Sequence, residues 1–263
     1  MFLNDAKAIY RSAWRFAVAC PILFAIPVLV EFAQHAIEMR AGMYLDEAGA
    51  VAAEGDTLRM QFGFLKVLAI QLPGYWFVRY IVLGHDANRA GRLEMPAIAL
   101  WFVIFALLAV TGWLGMFGPS LAGVLGISAA ATPWFDGGMF VLEMVLTIYL
   151  IGWAVAWAVG NAAIGPVRSF AIMNGSFWYA LGLFAIGFLP LMIPHYGLAI
   201  LAVLVLPTSL DWVAMAIDSL LVGYLALTMA GASAYAAIRA AERRGISLLP
   251  DEPAGSPRFV AKS

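Results

Sequence analysis

Three ionisable residues lie within long apolar stretches of the sequence, where chemistry other than packing is expected. These residues are Lys66, Glu143 and Asp218, and the intervals between them are 77 and 75 residues. Each of them lies seven positions after another charged residue. A charge inside a membrane is costly and usually faces protein, water or a partner charge. One cation and two carboxylates at a common depth predict either a structural polar network or a site for a proton or a cationic ligand.

The composition places these three residues in a membrane protein. Of the 263 residues, 63% are apolar and only 12% are charged, whereas soluble domains carry about 25% charged residues. Helices need about 20 mostly apolar residues to cross a bilayer. Six stretches satisfy this requirement: 16–37, 61–83, 97–117, 138–160, 177–195 and 212–237. Because backbone groups in lipid must bond within their own segment, all six are predicted to be helices.

The distribution of lysine and arginine predicts the orientation of these spans. Basic residues are concentrated in the N-terminal segment, in the 79–96 and 161–176 connections and near the C-terminus, whereas the other connections are mainly acidic. The positive-inside rule therefore predicts that both termini are cytoplasmic. We expect an all-α integral membrane domain over 1–245 and a disordered cytoplasmic tail over 246–263.

Arginines recur at a nearly constant interval, at Arg15, Arg92, Arg168 and Arg244. Their spacings of 77, 76 and 76 residues predict three helical hairpins that enter the membrane from the same side. Such parallel repeats are related by an axis along the membrane normal. If the even-numbered spans pack about that axis, the three intramembrane charges meet.

The stretch from Phe177 to Pro207 is too long for one straight helix and contains Pro190 and Pro194. We expect a helix that ends near these prolines, followed by a separate interfacial or re-entrant piece over 196–206.

Each odd-numbered span is preceded by a segment with basic and aromatic residues. Aromatic rings favour the membrane interface, and cations there meet anionic headgroups. These segments predict either ordinary topology anchors or specific contacts with lipid headgroups. The residues concerned are Arg11, Trp14, Arg15, Arg92, Arg168 and Trp178.

The sequence lacks the residues that are typical of several functional classes. Cys20 is the only cysteine, and His35, His85 and His195 are far apart in sequence, so we expect no metal, haem or other cofactor. No P-loop, HExxH or GxSxG motif is present, which argues against an enzyme. The His85–Asp86 pair is interpreted as a polar loop rather than a catalytic site. A net charge of −1 without a basic patch argues against nucleic-acid binding.

The segment "VRSFAIMNGSFWYALGLF" resembles the R-S-x-x-[LI]-x-x-G-x-F-W pattern of bacterial six-helix proteins. These include the YciC-like proteins and the membrane domain found with glycerophosphodiester phosphodiesterases. The matching residues are Arg168, Ser169, Gly175, Phe177 and Trp178. The resemblance covers fewer than 20 residues and implies a six-helix protein of a bacterial inner membrane. It transfers no catalytic residues to this chain.

Two main functions follow from these patterns, and an enzyme that acts on lipid headgroups with His85 and Asp86 is a third hypothesis. The first is a non-enzymatic inner-membrane protein that acts through contacts with lipids, with a protein complex or with a second copy of itself. The second is a small-solute or proton-coupled transporter that uses Lys66, Glu143 and Asp218. A water-filled cavity that reaches these charges would favour transport, whereas a dry, closed cluster would favour a structural network.

Overall fold

The structure, a computed structural model, describes residues 1–250 apart from the side chain of Thr208, and every regular element in this part of the chain is helical. In chain order the helices are α1 (Phe2–Ala19), α2 (Pro21–Arg40), α3 (Glu47–Glu54), α4 (Thr57–Gln71), α5 (Gly74–Val82), α6 (Ala87–Gly91), α7 (Met95–Phe117), α8 (Leu121–Val124), α9 (Thr132–Ala158), α10 (Pro166–Met173), α11 (Phe177–Leu204) and α12 (Thr208–Arg244). Five of them, α2, α7, α9, α11 and α12, are long and apolar enough to cross a membrane. The predicted all-helical class is confirmed, while the count of six spans, the repeat and the orientation stay predictions.

Prolines divide two of the predicted spans. The residue before a proline avoids helical geometry, and Cys20, which precedes Pro21, has φ −129° and ψ 59°. The first long helix therefore begins at Pro21 rather than at residue 16, and α1 is a separate helix. The predicted span over 61–83 is split into α4 and α5 at Pro73, where Leu72 keeps helical geometry (φ −57°, ψ −50°) but the proline has no N–H to donate.

Two further prolines do not end α11. The helix continues through Pro190 and Pro194 to Leu204, so the prediction of a separate piece from residue 196 is wrong. A proline inside a helix leaves the carbonyl four residues earlier without its usual donor. Here the hydroxyl of Tyr10 donates to the carbonyl of Ile186, at 2.6 Å, and supplies that bond.

The longest helix, α12, lies at the centre of the bundle. It packs against α11, α2, α5, α1 and α9. Small residues allow these close approaches: a Cβ atom added at Gly223 would lie 2.4 Å from Cγ2 of Val28 on α2. A Cβ atom at Gly187 on α11 would lie 3.1 Å from the carbonyl oxygen of Thr228. Such contacts fix how α2 and α11 present their side chains to α12.

Helices α1, α6 and α10 gather at the end of the bundle that holds the N-terminus and residues 246–250. Helices α1, α6 and α10 correspond to the three predicted basic and aromatic segments, and α1 and α10 both contact α12. Residues 246–250 also lie against this end, because the side-chain amide of Asn161 donates to the carbonyls of Leu248 and Leu249. The remainder of the predicted disordered tail, 251–263, lies outside the described residues.

Candidate functional site

A polar stripe runs along the second half of α2. Its members are Glu31, Gln34, His35 and Glu38, and all four are buried. Spacings of three, four and seven residues place them on one face of the helix. That face meets α12 and α4, which pack against α2. The stripe therefore brings two carboxylates, an amide and an imidazole into a helix interface at the end of the bundle opposite to α1.

His35 is the centre of a network of polar side chains, and carboxylates lie at both of its ring nitrogens. The network comprises Glu31, Gln34, His35, Glu38, Tyr44, Arg59, Lys66, His195 and Asp218. Its Nε2 lies 2.9 Å from Oδ2 of Asp218 and 3.4 Å from Oε1 of Glu31. Its Nδ1 lies 3.0 Å from Oε2 of Glu38 and 2.9 Å from the hydroxyl of Tyr44. An ionised carboxylate only accepts hydrogen bonds. The contacts at Nε2 are therefore satisfied by a proton or by a bound cation, since a bare nitrogen would face two anions.

Glu38 is fully engaged within the protein. Its Oε1 accepts from Nε2 of Gln34, at 2.9 Å, and from Nε of Arg59, at 3.2 Å. Its Oε2 accepts from the hydroxyl of Tyr44, at 2.6 Å, and contacts His35. Burial and the neighbouring Glu38 carboxylate raise the pKa of Tyr44, so its hydroxyl stays protonated and remains a donor. Glu38 thus fixes the position of the imidazole.

Asp218 joins α12 to α11 through a second histidine. Nδ1 of His195 lies 2.7 Å from Oδ1 and 2.9 Å from Oδ2 of Asp218, whose side chain is 2% exposed. His195 reaches this carboxylate because α11 continues past Pro194. Two imidazoles, from α2 and α11, therefore share one buried carboxylate on α12.

Glu31 is only partly paired. Its Oε1 accepts from Nζ of Lys66 on α4, at 2.9 Å, and the residue is 0% exposed. Its other oxygen, Oε2, is buried and has no hydrogen-bond partner in the described residues. Buried polar atoms in proteins nearly always have partners, so an unpaired carboxylate oxygen calls for an explanation.

The network is largely closed at the end of the bundle. Tyr44, which follows α2, is buried against Ala202 of α11 and against Ala214 and Met215 of α12. The partly exposed side chains of the network are Lys66, at 23%, Arg59, at 24%, and His195, at 16%. These three side chains form the open edge of the group.

The structure separates the three charges that the sequence singled out. Lys66 and Asp218 both belong to the network, but they are joined through Glu31 and His35 rather than directly. Glu143 is exposed, forms no hydrogen bond or ion pair within residues 1–250, and lines an apolar cavity of about 440 Å³ between α9 and α11. The reason is packing, because the buried residues of α9 begin only at Ile148.

The expectation of no metal site stays a prediction, but the sequence separation on which it rested does not hold in space. Sequence separation suggested that the histidines are unrelated, but the structure places His35 and His195 on the same carboxylate. Glu31, His35 and Asp218 each offer a ligand atom, and these atoms lie within 4.8 Å of one another. The sequence does carry a signal for this site, because the polar residues on the second half of α2 recur at helical spacing. This stretch was interpreted only as the end of an apolar span.

The opposite end of the bundle carries a different set of polar contacts. Arg239 holds both carboxylate oxygens of Asp5, each at 2.7 Å. His85 lies 2.9 Å from Oγ of Ser12, but Ser12 is 3% exposed and is not accessible as a nucleophile. Asp86 caps α6 by accepting from the backbone amide of Arg89. These contacts stabilise the fold and do not form a recognisable catalytic site.

The predicted headgroup residues all lie on the surface at this end. Trp14 and Trp178 are 64% and 79% exposed. The exposed arginines are Arg11, Arg15, Arg92 and Arg168. Their exposure leaves them free to contact lipid.

The fold and the network define an all-helical chain with several helices suited to a membrane and one buried group of titratable side chains. Compared with known proteins, the chain matches no protein-family model, no curated protein and no solved structure.

Proposed function

We propose that the protein is a multi-pass membrane protein that binds a cation at the network around His35 and transports it. The observation that carries this proposal is the fully buried Glu31, which keeps one carboxylate oxygen without a partner among residues 1–250. Ionisable residues within membrane helices are expensive and commonly mark ion pathways. A partly paired carboxylate beside two histidines provides coordination for a cation.

A purely structural role explains this arrangement less well. A buried ion pair contributes to stability only if its remaining polar atoms are also satisfied. In the described residues Oε2 of Glu31 and Oε1 of Gln34 both lack partners. A group that exists only to join helices gains nothing from these two unpaired oxygens.

Transport can be measured on the purified protein in liposomes. Protons, monovalent cations and divalent cations are tested separately with entrapped fluorescent indicators. Asp218→Asn removes the charge shared by both histidines and is expected to abolish the flux. Glu143→Gln neutralises a carboxylate in a long apolar helix outside the network and is expected to leave the flux unchanged. Flux no higher than in protein-free liposomes for every cation would overturn the transport proposal.

A second candidate function is action through lipid contacts at the end of the bundle that holds the N-terminus. It is supported by the exposed Trp14 and Trp178 and by the exposed arginines beside them. Native mass spectrometry of protein extracted with its own lipids tests it. Trp14→Ala combined with Arg15→Gln should reduce retained anionic lipid, whereas equal retention in the variant would contradict specific binding. A retained protein subunit or a dimer mass would instead favour action within a complex.

Location in a bacterial inner membrane, with both termini cytoplasmic, is proposed from the Lys and Arg distribution and from the resemblance at Arg168–Trp178. Reporter fusions at each terminus test the orientation. Activity of a periplasm-specific reporter at either terminus would contradict it.

A further inference from the structure

We infer that the network is a binding site for one divalent transition-metal ion, with Glu31, His35 and Asp218 as its ligands. This inference rests on the proposed cation-binding function and names the class of cation. It stands on the spacing of the ligand atoms, on the partners that hold them and on the unpaired oxygen of Glu31.

The spacing of the ligand atoms suits a common ion. Zinc lies about 2.0–2.2 Å from imidazole nitrogen and carboxylate oxygen, so neighbouring ligand atoms in octahedral or tetrahedral sites are about 3.0–3.4 Å apart. Nε2 of His35 lies 2.9 Å from Oδ2 of Asp218 and 3.4 Å from Oε1 of Glu31, the oxygen that also accepts from Lys66. One ligand atom from each of the three residues lies within 4.8 Å of the other two. Small side-chain adjustments would therefore place an ion between the three groups.

The surroundings of His35 match those of a metal-bound imidazole. A ligating histidine usually donates its other ring N–H to a carboxylate or carbonyl, which fixes the ring and its tautomer. Nδ1 of His35 has this partner in Glu38, at 3.0 Å. Glu38 is itself held by Gln34, Tyr44 and Arg59. Because Glu38 is saturated with donors, it orients the ligand and is not a ligand itself.

The two carboxylates on the Nε2 side are held differently. Lys66 engages only Oε1 of Glu31, and Oε2 is buried without a partner. His195 holds the Asp218 carboxylate from the α11 side. Each ligand carboxylate therefore has one orienting contact and retains capacity for a cation. Two carboxylates also offset the charge of a divalent ion.

The donor set indicates the class of metal. One imidazole nitrogen with two carboxylate groups suits borderline divalent ions such as Zn²⁺, Mn²⁺, Fe²⁺ and Co²⁺, whereas Ca²⁺ and Mg²⁺ prefer oxygen alone. The absence of a thiol ligand argues against soft ions such as Cu⁺, because Cys20 precedes α2 and lies outside the group.

Cobalt binding tests the site directly. The purified full-length protein in lipid nanodiscs is stripped with a chelator and titrated with Co²⁺, whose visible absorption reports coordination. We expect one Co²⁺ per chain, displaced by Zn²⁺. Glu31→Gln and His35→Gln should each weaken binding more than about 100-fold, and Glu38→Gln about 10–100-fold, as for other orienting partners.

Matched controls keep the result interpretable. Glu143→Gln and His85→Gln remove a carboxylate and a histidine outside the site and should retain wild-type affinity. Helical circular dichroism and monodisperse elution establish folding. If His35→Gln fails to fold, the isosteric Glu31→Gln variant decides. Absence of saturable Co²⁺ binding, or equal affinity in wild type and Glu31→Gln, would overturn the metal site.

The metal site and the transport proposal fail in different ways. Proton flux without Co²⁺ binding would leave transport standing and refute the metal site, with His35 then held as an imidazolium by its carboxylates. Stoichiometric Co²⁺ binding without flux of any cation would establish the metal site and refute transport.

Discussion

Loss of the Lys66 ammonium should destabilise the protein because it leaves the Glu31 carboxylate buried without compensation. The two groups are 2.9 Å apart, Glu31 is 0% exposed and the Lys66 side chain is 23% exposed. Two unit charges 4 Å apart interact by about 4 kcal/mol at an effective dielectric constant near 20. Removing one partner of a buried pair costs about 3–5 kcal/mol. Since Lys66 is partly exposed, we expect Lys66→Met to cost about 3 kcal/mol.

Removing both charges should recover most of this loss. The double variant Lys66→Met/Glu31→Gln leaves no unpaired carboxylate, so its stability should lie within about 1 kcal/mol of wild type. Stability is measured on chelator-treated protein by titrating a mild-detergent micelle with sodium dodecyl sulfate and following helical circular dichroism. Lys7→Met, at an exposed lysine on α1, is the control and should change stability by less than about 0.5 kcal/mol. If the double variant loses the sum of the two single losses, the pair is not coupled and the reasoning fails.

Two further perturbations test the packing and the opposite end of the bundle. Gly223→Ala should destabilise by about 1–3 kcal/mol, because its Cβ atom would lie 2.4 Å from Val28, whereas Gly138→Ala meets nothing within 4 Å and serves as its control in the same titration. Burial alone would raise the pKa of Asp5, but hydrogen bonds from Arg239 and Tyr179 lower it below the usual 3.8. Its stabilising contribution is therefore present above pH 3.8 and is lost as the pH falls through the lower folded pKa. Acid unfolding should be less steep in this range for Asp5→Asn, and an unchanged profile would contradict the assignment.

The apolar stretches were sufficient to predict helices, but local prolines decided where the helices begin and end. Helices are interrupted at Pro21 and Pro73, where the sequence suggested continuous membrane spans. Pro190 and Pro194 lie inside a helix that continues. At Pro190 the hydroxyl of Tyr10 on α1 supplies the donor that the Ile186 carbonyl would otherwise lack. That donor is 176 residues away in sequence, so no local pattern could reveal it.

The candidate site was predictable only in part for a similar reason. Lys66 and Asp218 were recognisable as charges in apolar surroundings, but Glu143 looked the same and lies on an exposed stretch of α9. Which charges meet depends on helix packing, and the packing of α12 against α2 brings Asp218 to His35, a residue that the sequence did not single out. The stripe around His35 did carry a local signal, since its polar residues recur at helical spacing on one face.

The two ends of α12 differ in the basic side chain that is paired with a buried aspartate. Asp218 and Arg239 lie on this helix about 30 Å apart along its axis. At one end the buried Asp5 carboxylate is held through both oxygens by Arg239, a cation that never loses its proton and does not ligate metals. At the other end the buried Asp218 carboxylate is held by two imidazoles, those of His35 and His195, and the proposed metal ion would replace the contact between Asp218 and His35. A permanent pair suffices to hold helices together, so the histidines at Asp218 are better explained by a cation that binds and leaves.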